Sequence, residues 1–296
     1  MTILTLSRLT KSYGKATALN AVDLSLAAGE RVALIGHNGA GKSTMMKLVL
    51  GLITPSDGAV DIAGHAPGSP VARALTAYLP ENVAFHPALT GREQLTHYLR
   101  LRAAPVSQAK DLLARVGLAD AADRRIGTWS KGMRQRLGLA QALIGTPRLM
   151  LLDEPTSGLD PVSRGEFYDL LDELSARGTA VILSSHALSE IEAKTDRVIV
   201  LSRGQKVAEG PVSVLRAQAA LPLTLILYPR AGAASRLVEA FPQAKPSGAA
   251  FSVTFAPSEK IAMTARVADV ADVLEDYELI TAGLDEVYAS ISRRAA

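Results

Sequence analysis

A chain of 296 residues, 48% of them apolar, has material for two modest domains, or one large and one small, with a buried core. Its 32 basic and 29 acidic residues leave a formal charge of only +3, too little to demand nucleic acid as a partner, and none is expected. With no cysteine it has no disulfide, thiolate metal site or cysteine nucleophile, and with 4% aromatics its packing must be aliphatic, which favours α/β architecture over a β-sandwich.

The opening segment MTILTLSRLTKSYG carries Arg8 and Lys11 and lacks an apolar core followed by a cleavage site, so no signal peptide is expected. Leu4 to Leu9 and Leu19 to Leu26 alternate apolar and polar residues around a turn-like Ser12-Tyr13-Gly14, which predicts an antiparallel pair of half-buried strands. The runs RVALIG, RLMLLD and TAVILSS are short and continuously apolar, as parallel strands covered on both faces must be. Between Arg73 and Trp129 the pattern turns helical, with Leu95, Leu99, Leu112, Leu113 and Val116 at helical spacing and no strand-like run, so a helical insertion is expected over about 73–135. After Gly210-Pro211 a short helix leads into a small α+β module over 218–296, with strands at Leu223 to Tyr228 and Ala250 to Phe255. No apolar run approaches the roughly 20 residues of a membrane helix, so membrane association is expected only through a partner.

The chemistry concentrates where the predicted strand RVALI meets Gly36-His37-Asn38-Gly39-Ala40-Gly41-Lys42-Ser43-Thr44 and the helical MMKLVLGL. Strand, glycine loop and helix form a phosphate cradle: backbone amides wrap the phosphates, Lys42 reaches the β- and γ-phosphates, and the Ser43 hydroxyl binds Mg²⁺. A nucleotide with Mg²⁺ is the expected ligand. RLMLLDEP places Asp153 at the C-terminal end of a buried strand, where parallel sheets hold their ligands, with Glu154 beside it. Asp153 can hold Mg²⁺ through water and Glu154 can polarise the attacking water, whereas an isolated Asp-Glu pair would read as a helix cap.

TWSKGMRQRLGLAQALI resembles the signature segment of the ATP-binding cassette family, and LLDEPTSGLDP resembles its Walker B motif and D-loop. The likeness spans residues 1 to about 217 and implies a P-loop ATPase core with an antiparallel β subdomain and a helical insertion. It implies that Ser130, Lys131, Gly132 and Met133 contact the nucleotide of a second copy in a head-to-tail dimer. Trp129, Lys131 and Met133 depart from the usual leucine, glycine and glutamine of that signature. By the same resemblance His186 is the switch histidine contacting the γ-phosphate, Tyr13 stacks on adenine, and Asp160 of the D-loop links the two sites. Glu81, in AYLPENVAFHP, stands where the family generally has glutamine; it either reaches Mg²⁺ or the attacking water, or faces solvent.

YLPENVAFHPALTGREQL and SKGMRQRLGLAQALIG most resemble the ATPase subunits of the complex that matures nitrous oxide reductase. That likeness implies a bacterial cytoplasmic subunit, peripheral on the inner membrane through a polytopic membrane partner, in a complex that also engages a periplasmic accessory protein and supports copper-site assembly. ATPases of multidrug or polysaccharide exporters are the alternative. The five histidines, His37, His65, His86, His97 and His186, are scattered without metal-ligand spacing, so no copper site is expected in this chain. Related cassettes of DNA repair, chromosome organisation and translation carry long coiled coils, zinc modules or paired cassettes, which a single cassette without sustained heptads does not resemble. At the C-terminal end, Leu284, Val287, Tyr288 and Ile291 line one helical face that packs on its own module or on another subunit.

Overall fold

The computed structural model describes residues 1–185, 188–192 and 194–294. The chain divides into two compact units, Met1–Glu209 and Gly210–Ala296. The division falls before the expected boundary at 217 because the helix after Gly210 packs against the last helix of the chain, within the second unit.

The first unit runs β1 (Thr2–Tyr13), β2 (Ala16–Ala27), β3 (Arg31–Ile35), α1 (Lys42–Val49), β4 (Asp57–Ile62), α2 (Pro70–Leu75) and β5 (Thr76–Leu79). It continues through α3 (Gly91–Leu101), α4 (Gln108–Arg115), α5 (Lys131–Ala142), β6 (Leu149–Asp153), α6 (Pro161–Ala176), β7 (Ala180–Ser184), α7 (Leu188–Glu192), β8 (Arg197–Ser202) and β9 (Gln205–Gly210). Alternation along β1 puts Leu4 and Leu6 inward, where they pair in register with Leu26 and Leu24 of β2 and with Ile62 and Val60 of β4. This antiparallel sheet has the order β2-β1-β4. The second sheet has the order β5-β6-β7-β3-β8-β9, parallel from β5 through β8. Its central strands are buried along their length, which is why their sequences are continuously apolar. Met45, Met46, Leu48 and Val49 of α1 join one core cluster with residues of both sheets, so the helix after the glycine loop is locked to the scaffold.

Helices α3 to α5 fill most of the expected insertion, but its first part holds a strand. β5 is only four residues, TAYL, too short to show a period, and becomes a strand by pairing in parallel with β6 at the sheet edge. The helical region therefore starts after β5. Two of these helices have a local reason to begin: Thr90 and Glu93 form a reciprocal capping box at α3, and Ser130 caps α5 by accepting from Met133 N–H at 3.2 Å. Trp129, buried just before α5, fits because Gly91 has no side chain; a Cβ there would stand 2.3 Å from the indole Cη2.

The second unit opens with α8 (Val212–Ala219) and then runs β10 (Leu223–Pro229), α9 (Ala234–Ala240), β11 (Lys245–Ser247), β12 (Ala250–Phe255), α10 (Lys260–Asp269), β13 (Leu274–Ile280) and α11 (Leu284–Arg294). From β10 to β13 this is a βαββαβ unit with antiparallel order β11-β12-β10-β13, the ferredoxin-like arrangement. Leu225, Leu227, Val253, Leu237, Phe241, Met263 and Val267 form its core between one sheet face and the two helices. On α11, Leu284 and Val287 are buried while Tyr288 and Ile291 are half-buried, and the guanidinium of Arg294 donates to the terminal carbonyls of α8 at Gln218 and Ala219.

Candidate functional site

The loop between β3 and α1 starts at the C-terminal edge of the parallel sheet. Its left-handed turn at Gly41 (φ 109°) brings the chain so close to β2 that a Cβ there would lie 2.7 Å from Ala18 O and from Leu19 Cδ2. Ala40 N–H donates to His37 O at 3.0 Å, and Ala40 O accepts from Gly204 N–H at 3.1 Å, which ties the loop to the turn between β8 and β9. α1 then begins with no side-chain cap. An uncapped helix start preceded by a glycine loop presents backbone N–H groups, with the positive end of the helix dipole, to an anion.

Lys42 folds back over this loop, its ammonium donating to the carbonyls of Gly36 and, at 3.4 Å, His37. Burial pushes its pKa below the ordinary lysine range, with Glu154 and then Asp153 pulling the other way. Both carboxylates come from the end of β6. The Ser184 hydroxyl, at the end of neighbouring β7, donates to Asp153 Oδ1 at 2.5 Å and accepts from Glu154 N–H at 3.1 Å. One buried serine thus orients both acidic residues. Glu154 itself sits at φ 48°, a left-handed conformation that costs a non-glycine residue about 1–2 kcal/mol.

Ala18, His37, Asn38, Gly39, Ala40, Gly41, Lys42, Ser43, Thr44, Glu81, Asp153 and Glu154 line one cavity of about 350 Å³. Glu81, just beyond β5, is exposed yet lies on that wall. A larger cavity, about 660 Å³, borders α2, β5 and the end of α3 and holds none of these residues; its Arg73 and Arg102 leave it without a carboxylate, so the chemistry belongs to the smaller one. The hydroxyl and carboxylate oxygens of Ser43, Asp153 and Glu81 are hard donors of the kind Mg²⁺ takes. Among the described residues no group of three or more His, Asp or Glu side chains could hold a metal ion.

Other expected site residues lie elsewhere. Tyr13 is 51% exposed, outside this cavity wall, with the Lys11 ammonium 5.0 Å from its ring centre. Ser130 to Met133 form the start of α5, Ser130 and Lys131 exposed and Gly132 and Met133 half-buried, where Ser130 Oγ serves as helix cap and the Lys131 ammonium donates to Ser157 Oγ at 2.9 Å. Asp160 caps α6, accepting from the N–H groups of Val162 and Ser163 and from the Ser163 hydroxyl; the Ser163 bonds hold its pKa below the usual aspartate range. His186 falls outside the described residues. Sequence reasoning missed Ser184 and Ala18. The sole signal for Ser184 was a polar residue ending the buried run AVILS.

A parallel sheet with a glycine loop, a half-buried lysine and strand-end carboxylates around one cavity defines a P-loop nucleoside triphosphatase. The family model described as "ABC transporter" matches residues 19–157. The chain is 38% identical over 211 residues to the ABC transporter ATP-binding protein YdbJ of Bacillus subtilis, covering 70% of this chain and 68% of that one. It is 34% identical to the linearmycin resistance ATP-binding protein of the same organism (68% and 66% covered) and 39% identical to the Nod factor export ATP-binding protein I of Rhizobium meliloti (68% and 62% covered). Among solved structures, an ATP-binding subunit of an ABC transporter superposes with a TM-score of 0.68 at 32% identity, over 73% of this chain and 92% of that one. A dimeric post-hydrolysis structure of an ATP-binding cassette bound to ADP and Pi gives 0.66 at 26% identity, over 71% and 99%. The chain belongs to the ABC transporter ATP-binding family and is an ATPase. No helix among the described residues is long and apolar enough to cross a membrane.

Proposed function

We propose that this chain drives a polytopic membrane partner by closing, as a head-to-tail pair of copies, around two ATP molecules. The single observation that carries the reading is the convergence of Lys42, Ser43, Asp153, Glu154 and Glu81 on one cavity beside an uncapped helix start. In this reading the amides of residues 36–44 and the Lys42 ammonium hold the phosphates, and Glu154 orients water for attack on the γ-phosphate. Ser43 and Asp153, with Glu81, hold Mg²⁺, which when bound neutralises charge on the phosphate oxygens. Ser130, Lys131, Gly132 and Met133 face the nucleotide of the second copy, Tyr13 stacks on adenine, and His186 and Asp160 couple the two sites. The placement is cytoplasmic, at the membrane through the partner. Purified chain should hydrolyse ATP only with Mg²⁺, and Lys42→Ala should abolish nucleotide binding while the thermal unfolding profile persists. Full ATP affinity in Lys42→Ala would sink the phosphate-loop assignment.

We further propose that the complex supports copper-site maturation of nitrous oxide reductase, with a periplasmic accessory protein as its third component. Similarity at YLPENVAFHPALTGREQL and SKGMRQRLGLAQALIG supports this. Export of a drug or polysaccharide is the second reading, favoured by the export and resistance relatives above. Deleting the gene distinguishes them. Loss of copper from nitrous oxide reductase supports maturation, whereas unchanged copper loading with new drug sensitivity supports export.

A further inference from the structure

We propose that Lys131 is a positioning residue for hydrolysis, holding the turn that carries Glu154 through a bond to Ser157. The inference rests on the assignment of Glu154 to hydrolysis, and it gives Lys131 a role within its own subunit besides any contact with a second copy.

The contacts form a short chain. Glu154 is held at both backbone groups: its N–H donates to Ser184, and its carbonyl accepts from Ser157 N–H at 3.1 Å. The Ser157 hydroxyl in turn accepts from the Lys131 ammonium at 2.9 Å. The lysine stem is fitted to this turn as well as its head. Gly158 (φ 81°) presses so close to it that a Cβ would lie 2.9 Å from Lys131 Cδ and 3.2 Å from Cγ. One residue further along α5, a Cβ on Gly132 would stand 3.0 Å from Gly158 O, so the helix start and the turn meet backbone to backbone. On the far side of the turn, Leu159 N–H donates to Thr156 O at 3.1 Å and Asp160 caps α6, which anchors the other end.

The physical need for such a clasp is the strained φ of Glu154. A left-handed glutamate relaxes unless both peptide groups are restrained. Ser184 restrains one side from within the sheet, whereas the other side is a surface turn whose Ser157 hydroxyl is tied to a side chain of another element by the charge-assisted bond from Lys131. A glycine at 131, as in the usual family signature, could not make this bond. The departure at 131 therefore links the start of α5, proposed above to face the second copy, to the residue proposed to orient water.

The test compares the full-length chain with Lys131→Met, Lys131→Arg, Ser157→Ala and the Lys131→Met/Ser157→Ala double variant, measuring kcat and KM for ATP and amide exchange at Ser157. Lys131→Met and Ser157→Ala should each lower kcat roughly three- to tenfold with KM changed by less than about twofold. The double variant should be no worse than the worse single one, because both substitutions remove one bond. Lys131→Arg should restore most of the rate, and Ser157 amide exchange should quicken in Lys131→Met without nucleotide. Unchanged kcat and exchange in Lys131→Met, or additive losses in the double variant, would overturn the proposal. A raised KM with kcat intact would also overturn it and would assign the ammonium to phosphate in the second copy. Faster exchange in a chain whose wild type does not hydrolyse ATP would keep the clasp and reject the role of Glu154.

Discussion

The two units of this chain use the same aliphatic material for different ends. In the first, parallel strands finish at one edge, where Lys42, Asp153 and Glu154 line a common cavity and Ser184, ending β7, bonds to both acidic residues. In the second, the antiparallel β10–β13 sheet alternates its strand ends between both edges, and its buried residues, among them Leu225 and Phe241, form a hydrophobic core. A parallel sheet gathers functional groups because all its strands point the same way, and the antiparallel sheet disperses them. Chemistry in this protein should therefore fail and survive independently of the second unit's core.

The largest expected effect is at Glu154. Glu154→Gln should lower ATP turnover about 10²-fold or more and let ATP accumulate in a closed dimer, seen by gel filtration with and without ATP. Undiminished ATPase activity would break the contrast at its first point. Phe241→Ala is the counterpart in the second unit: it removes a fully buried ring that also carries the Arg266 guanidinium 5.2 Å from its centre. It should cost that unit about 3–5 kcal/mol by denaturant unfolding while leaving ATP affinity unchanged. Removing the unit altogether, by truncation after Glu209, should likewise spare nucleotide binding but weaken dimerisation or assembly with the membrane partner, compared by sedimentation and pull-down. Loss of ATP binding in that truncation would show that the two units share the site.

Smaller effects sharpen the reading of the first unit. Ser184→Ala leaves Asp153 and Glu154 in place but removes the hydroxyl that orients both, so kcat should fall about tenfold with the fold retained by circular dichroism. The smallest is at Asp160. Its folded pKa lies below the unfolded one, so its cap stabilises the chain above the ordinary aspartate range and is lost as pH falls through the depressed value. Asp160→Ala should therefore lower the Tm at neutral pH and shrink that difference in acid, while Asp160→Asn, which still caps, should change little. A pH-independent difference would assign Asp160 to something other than the cap.

The sequence by itself determined what depends on neighbours along the chain. The three continuously apolar strands, the β1–β2 alternation and the loop from Gly36 to Thr44 were legible because each is a short-range pattern with one structural solution. The two second-unit strands Leu223–Pro229 and Ala250–Phe255 were legible for the same reason, but β11 and β13 were not: Lys245–Ser247 is three exposed residues, and Leu274–Ile280 carries Glu275, Asp276 and Glu278. β5 was hidden too, since four residues become a strand only when β6 offers its edge. What the tertiary structure alone decided was which distant residues meet: Ser184 bonds Asp153, Lys131 bonds Ser157, and the Trp129 ring packs where Gly91 has no side chain. Such pairings follow from sheet order and helix packing, which set distances between segments tens of residues apart, and no periodicity along the chain encodes those distances.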